Sequence, residues 1–259
     1  MSSAERIIDV LSLFTLKRPT LTPLDAAQAL GLSRATAYRY FATLNAEGYV
    51  TEVAGHQYAL GPRLVELDRQ IRLVDPLVQA SVDPMVKLAR ETGGAALLCR
   101  LYRDRVLCVH QERGPRFPGS VSYERGRAMP LFRGATSKVI LAFMPPTDLR
   151  AIAESAPPET LPKGTPRDPD RLHAFLAPIR EERVCIASGE VDPNRCGVAV
   201  PIFQRSRVIG SLSIVLVASE AKPRQLNAAR QLVLDAGLAI ESELENADEV
   251  PTRRSRAKA

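Results

Sequence analysis

The chain has 259 residues, 45% hydrophobic and 25% charged, with a formal net charge of +6. That composition supports a buried core, excludes global disorder, and at this length suits two domains rather than one small module. The positive excess permits nucleic acid as a partner but is spread unevenly. Residues 1–62 hold five basic groups (Arg6, Lys17, Arg18, Arg34, Arg39) and five acidic ones (Glu5, Asp9, Asp25, Glu47, Glu52), whereas residues 100–150 hold ten Lys/Arg against four Asp/Glu.

The apolar residues Ile7, Ile8, Leu11 and Phe14 share one face of a first helix expected over residues 4–17. Thr22 then reads as an N-cap, Pro23 as the first helical position and Asp25 as a first-turn carboxylate. Leu24, Ala27 and Leu30 form an apolar stripe that Gly31 ends. Ser33 caps the next helix, whose buried face is Ala37, Tyr40, Phe41 and Leu44, and Gly48 closes it. Left outward are Arg34, Ala35, Thr36, Tyr38 and Arg39, a short polar and cationic edge that a DNA major groove accepts. Strands over 48–53 and 57–60, turned by Ala54-Gly55-His56, complete a winged helix-turn-helix over residues 1–62. An N-terminal module that is electrically balanced has to bind DNA through a polarised face. Ser33, Arg34, Ala35, Thr36, Tyr38, Arg39 and His56 are its candidate DNA contacts, with Thr36 and Tyr38 assigned to phosphates. The plainer readings are solvated helix charges for Arg34 and Arg39 and an exposed turn histidine for His56.

Leu64, Leu67, Ile71, Val74 and Val78 mark a linker helix over 63–78, which Asp75-Pro76 interrupts or kinks. The second domain spans 79–247. Its expected elements are a helix from Asp83-Pro84 to Gly93, strands over 95–102 and 106–112, a weaker strand over 121–123, and a helix over 134–143 opened by small residues. A short helix near 147–154, a helix over 171–182, strands over 184–188, 196–203 and 208–217, and a helix over 223–246 follow. This order gives an α+β fold, an antiparallel sheet flanked by helices. Residues 248–259 carry Arg253, Arg254, Arg256 and Lys258 without apolar periodicity and read as a disordered basic tail.

The four cysteines, Cys99, Cys108, Cys185 and Cys196, form no CxxC pair and lie far from any histidine cluster, so no metal site or disulfide framework is expected. Isolated thiols fit a reducing cytoplasm. No apolar run reaches transmembrane length and the N-terminus is not a signal peptide, so no membrane partner is expected. Ser137 and Lys138 adjoin, but neighbours at a helix start point apart, and His56, His110 and His173 have neither triad nor metal-ligand spacing. No catalytic residue and no cofactor is expected. Ala135 and Thr136 are the clearest ligand candidates. Small residues opening a helix leave N–H groups free at the positive end of its dipole, a natural carboxylate site; the plainer reading is an ordinary helix start.

Taken together, the sequence resembles the IclR family of bacterial transcriptional regulators over nearly its whole length. The resemblance is carried by Ala29-Leu30-Gly31-Leu32-Ser33, Arg39, Leu44, Glu47-Gly48-Tyr49 and Tyr58-Ala59-Leu60-Gly61 in the winged helix. In the second domain it is carried by Pro130-Leu131-Phe132, Ser137-Lys138 with Leu141-Ala142, and Val198-Ala199-Val200-Pro201-Ile202-Phe203. It implies a GAF-like effector domain, homodimers often paired into tetramers on palindromic double-stranded operator DNA, and a small organic acid or aromatic catabolite as effector. It also implies pocket roles for Met129, Glu190, Ser213 and Val215, although Glu190 reads equally as a solvated loop carboxylate. The sequence departs from the family where Ser137-Lys138 replaces glycine-lysine, where Val215 stands for a pocket serine, and where Gly197, beside Cys196, stands for a pocket cysteine. The alternative is a DNA-binding module whose second domain only oligomerises.

Overall fold

In the computed structural model, which describes residues 3–249, the first helix α1 (Ser3–Ser12) stops short of the expected Lys17. The chain tightens after Ser12, where Leu13 N–H donates to the Val10 carbonyl at 3.2 Å and Phe14 N–H to that of Leu11 at 3.4 Å. Thr15 and Arg18 then exchange backbone hydrogen bonds of 3.0 and 3.1 Å in a turn just before Pro19. The chain leaves this turn into a two-residue strand, β1 (Thr20–Leu21), which the sequence did not announce.

The helical hairpin follows the expected chemistry. In α2 (Pro23–Leu30) the Thr22 hydroxyl accepts the Asp25 N–H at 3.1 Å, and Asp25 accepts the Thr22 N–H at 2.8 Å, a reciprocal cap. Gly31 ends the helix in the left-handed region, φ 62°. Next come α3 (Arg34–Ala46), β2 (Val50–Val53) and β3 (Gln57–Leu60). The small sheet has the order β1-β3-β2, with Val50 opposite Leu60 and Leu21 opposite Tyr58. Val10, Leu21, Ala26, Tyr40, Phe41, Leu44 and Val50 form its core. Gly61 is required where the wing ends, since a Cβ there would lie 2.2 Å from the Gly48 carbonyl oxygen. α4 (Arg63–Val74) then runs to Asp75, where the first of two compact units ends.

The second unit starts with α5 (Pro76–Thr92). The expected linker helix over 63–78 is therefore broken at Asp75, which takes extended backbone (ψ 113°) before Pro76. The helix start expected at Asp83-Pro84 is absent. Pro84 lies inside α5, where the loss of one N–H is tolerated because Leu77, Val78, Ser81, Met85, Leu88 and Ala89 anchor the helix on both sides of it.

After α5 come β4 (Ala95–Tyr102), β5 (Arg105–Arg113), β6 (Ala128–Pro130), α6 (Gly134–Ala142), α7 (Pro146–Ser155) and a 3-10 turn at Pro158–Thr160. α8 (Pro169–Phe175), α9 (Ala177–Glu182), β7 (Cys185–Ser188), β8 (Arg195–Gln204), β9 (Arg207–Val217) and α10 (Pro223–Glu249) complete the unit. The strands form one antiparallel sheet, ordered β6-β5-β4-β9-β8-β7. Residues 121–123 are not a strand. Val121 and Tyr123 are buried in a loop, and the edge strand is β6 instead. The helix expected over 171–182 is two helices meeting at Leu176, because Pro178 lacks the N–H that continuity needs.

Side-chain alternation gives the sheet two apolar faces. Ala95, Leu97, Cys99, Ala199 and Val215 pack with α6, while Ala96, Leu98, Val198, Leu212 and Ile214 pack with α5 and α10. This is the expected antiparallel sheet flanked by helices. α10 continues through Asp248 to Glu249, and the remainder of the expected basic tail lies outside the described residues.

Candidate DNA-reading helix and effector pocket

The reading helix α3 is fixed by the face that Ala37, Tyr40, Phe41 and Leu44 bury. Ser33 has extended backbone (φ −67°, ψ 151°) and its Oγ accepts the Thr36 N–H at 3.2 Å. The Ser33 and Thr36 hydroxyls also lie 2.9 Å apart, and Thr36 is half-buried. These two candidate contacts are thus engaged in starting the helix. Arg34, Ala35, Tyr38 and Arg39 are exposed, and the Arg39 guanidinium passes 5.8 Å from the Tyr40 ring. α3 itself carries no carboxylate, so its exposed edge combines two arginines with the positive end of the helix dipole. His56 sits at the wing tip at φ 56°, fully exposed, with Nδ1 3.5 Å from Glu52 Oε1. A carboxylate beside it offsets any attraction it has for a phosphate.

In the second unit a cavity of about 40 Å³ opens where α6 begins. Its lining includes Val121, Tyr123, Ala135, Thr136, Glu190 and Val215. The floor is the α6-facing side of β8 and β9; the walls are the loops before β6 and between β7 and β8. Of the residues singled out from sequence, Ala135, Thr136, Glu190 and Val215 line it, as does Gly197. Ser213 lies directly beneath, its hydroxyl 3.0 Å from that of Thr136, both buried. Met129 is not brought to the cavity. It sits on the edge strand β6, opposite Val106, inside the core. Cys196 follows the opposite sheet face from Gly197, as alternation requires.

The polar contacts of the pocket were not legible in the sequence. The Tyr123 hydroxyl lies 2.9 Å from the Arg133 carbonyl oxygen and 2.7 Å from the Ser137 hydroxyl. Burial pushes its pKa far up, so the phenol is neutral. Glu190 accepts the Gly134 N–H at 3.0 Å through Oε2 and the Lys138 ammonium at 2.5 Å through Oε1. Ser137 and Lys138 therefore engage different partners. Ser122 donates to both Asp192 oxygens, N–H at 2.9 Å and O–H at 2.5 Å, tying the two wall loops together. Arg195 donates to the Pro118 carbonyl and stacks 4.6 Å from the Phe117 ring. Nearby, burial raises the Cys185 thiol to about 12, although Lys138 acts in the opposite direction. Gly134 is held at φ 78°, with a would-be Cβ 2.9 Å from Val191 Cγ2, so its backbone rather than its smallness alone demands glycine.

These geometries agree with three comparisons. Residues 3–54 match the family model described as the IclR helix-turn-helix domain, and residues 74–242 match that of the bacterial transcriptional regulator IclR C-terminal region. The chain is 28% identical over 243 residues to the HTH-type transcriptional regulator XynR of Escherichia coli (strain K12), covering 93% of this chain and 96% of that protein. A solved structure of an IclR transcriptional regulator from Silicibacter superposes with a TM-score of 0.80 at 23% identity, covering 94% of this chain and 96% of the other. An IclR homolog from Microbacterium hydrocarbonoxydans, complexed with 4-hydroxybenzoate, superposes with a TM-score of 0.78 at 22% identity, covering 95% and 100%. A winged reader ahead of a pocketed, sheet-based domain, matched in tandem by both models, makes this chain a member of the IclR family of bacterial transcriptional regulators.

Proposed function

We propose that the chain binds a palindromic operator as a homodimer, or as two dimers, and is gated by a small organic acid held in the α6 cavity. The observation that carries the DNA reading is the exposed Arg34–Ala35–Tyr38–Arg39 edge on a helix whose opposite face is sealed in a core. A symmetric dimer presents two such edges to two half-sites. α4 supports the dimer: Leu64, Leu67, Ile71 and Val74 recur at alternating steps of three and four, and among the described residues none of its side chains is buried.

The acid reading rests on the carboxylate already seated at the start of α6, that of Glu190, and on the apolar Val121, Ala135 and Val215 beside it. A structural neighbour with 4-hydroxybenzoate bound supplies the first probe. Selection of bound fragments from genomic DNA identifies the operator. Operator release and thermal stability are then measured with 4-hydroxybenzoate, other aromatic and aliphatic acids, and the matching amides. An effector at a hundred times its dissociation constant stabilises the domain by about 2.7 kcal/mol. A second domain that only oligomerises gives no ligand-dependent shift.

A further inference from the structure

The pocket holds an anion position that one of its own side chains fills. The Glu190 carboxylate bridges the Gly134 N–H at the start of α6 and the Lys138 ammonium one turn on. The pair is largely withdrawn from water, with 27% of the Glu190 side chain and 15% of the Lys138 side chain exposed. The adjoining cavity of about 40 Å³ has room for a water or two, not for an organic acid with a hydrocarbon body.

We propose that Glu190 is an internal carboxylate that an acidic effector must displace, and that this competition sets which acids the domain answers and at what concentration. The proposal rests on the reading of this cavity as the effector site. Exchange, rather than addition, follows from electrostatics. An acid entering beside a retained Glu190 would place two carboxylates against one ammonium in a poorly hydrated site, and like charges there disfavour one another. An acid that replaces Glu190 inherits both partners and leaves the released carboxylate to solvent. The loop can supply the movement on one side only. Gly189, at φ 69°, precedes Glu190, whereas Asp192 is held to Ser122 by two hydrogen bonds. A neutral amide has no claim on Lys138 and does not drive the exchange.

The test uses the full chain and acetate as probe, with acetamide and chloride at matched ionic strength as controls. Calorimetric titration compares the natural protein with Glu190→Ala and Glu190→Gln. Removing the competitor raises apparent affinity by the inverse of the fraction of molecules that were open, so acetate binds Glu190→Ala at least about tenfold more tightly than the natural protein. Glu190→Gln, which keeps the side chain's shape but loses its charge, gains affinity to a smaller degree, and it decides the matter if Glu190→Ala does not fold. Acetamide gains in neither. Equal acetate affinity across the folded proteins overturns the proposal. If acids release operator from the natural protein while the variants bind them unchanged, the displacement falls and the effector site stands. If acetate binds Glu190→Ala tightly but no acid releases operator, the internal carboxylate stands and effector gating falls.

Discussion

Thr136 on α6 and Ser213 on β9, 77 residues apart in sequence, share a hydrogen bond of 3.0 Å with both side chains buried. The Ser211 hydroxyl adds a 3.0 Å bond to the Thr136 carbonyl, so α6 is stitched to the sheet directly beneath the cavity. Ser213→Ala strands the Thr136 hydroxyl and should cost about 1–3 kcal/mol. Adding Thr136→Val removes both partners and should cost less than the two single changes summed. Urea unfolding of the four proteins gives the coupling; strict additivity would mean that the bond contributes nothing.

Arg39 is exposed and outside the core of its module. Arg39→Ala should leave the melting temperature unchanged and weaken operator binding by about 1–3 kcal/mol if the side chain meets a guanine edge. Fluorescence anisotropy at fixed salt on operator and on scrambled DNA separates this from a phosphate contact, which would weaken both equally.

The helical hairpin carries its own acid sensitivity. The Thr22 backbone N–H, then its hydroxyl, and finally Arg18 hold the Asp25 carboxyl below its ordinary 3.8. A lowered folded-state pKa stabilises the fold above that ordinary value and loses the stabilisation as pH falls through the folded one. Asp25→Asn should therefore flatten the acid limb of the stability curve below about pH 4. The effect stays under about 1 kcal/mol because the Asp25 side chain is 38% exposed and solvent screens it. Thr22→Ala, which removes the cap itself, should cost about 0.5–2 kcal/mol. Thermal unfolding followed across pH checks both.

α4 offers a sharper test of assembly. Ile71 and Val74 are 54% and 73% exposed within one chain. Ile71→Glu should shift the protein from dimer to monomer in sedimentation equilibrium without lowering the helix content of the module. Losing the second reader should weaken operator binding by about 100-fold or more. An Ile71→Glu protein that remains dimeric would remove α4 from the interface.

The reader was legible because its signals are local. Thr22 with Asp25, Gly31, Ser33 and the Ala37–Tyr40–Phe41–Leu44 face each act within a turn or two of chain. The pocket was legible only in outline. The opening of α6 announced a carboxylate position, yet the carboxylate that fills it comes from Glu190, 56 residues later, and no period or spacing encodes that meeting. Thr136 looked free to face a ligand, but its hydroxyl is committed to Ser213. Thr136→Glu would therefore bury a charge in the core. Met129, given a pocket role by the resemblance, lies on an edge strand away from the cavity. The start of α5 was misjudged because Pro84, read as a helix boundary, is overruled by the packing on both sides of it.

β9 gives its odd-numbered positions Ser213 and Val215 to the α6 side and its even-numbered Leu212, Ile214 and Leu216 to the side of α5 and α10. One strand thus carries two sets of residues answering to different demands. A substitution at Val215, which lines the cavity, alters its floor while 212, 214 and 216 keep their packing against α5 and α10. The floor of this cavity can therefore change by a single replacement that leaves the opposite face of the sheet as it was.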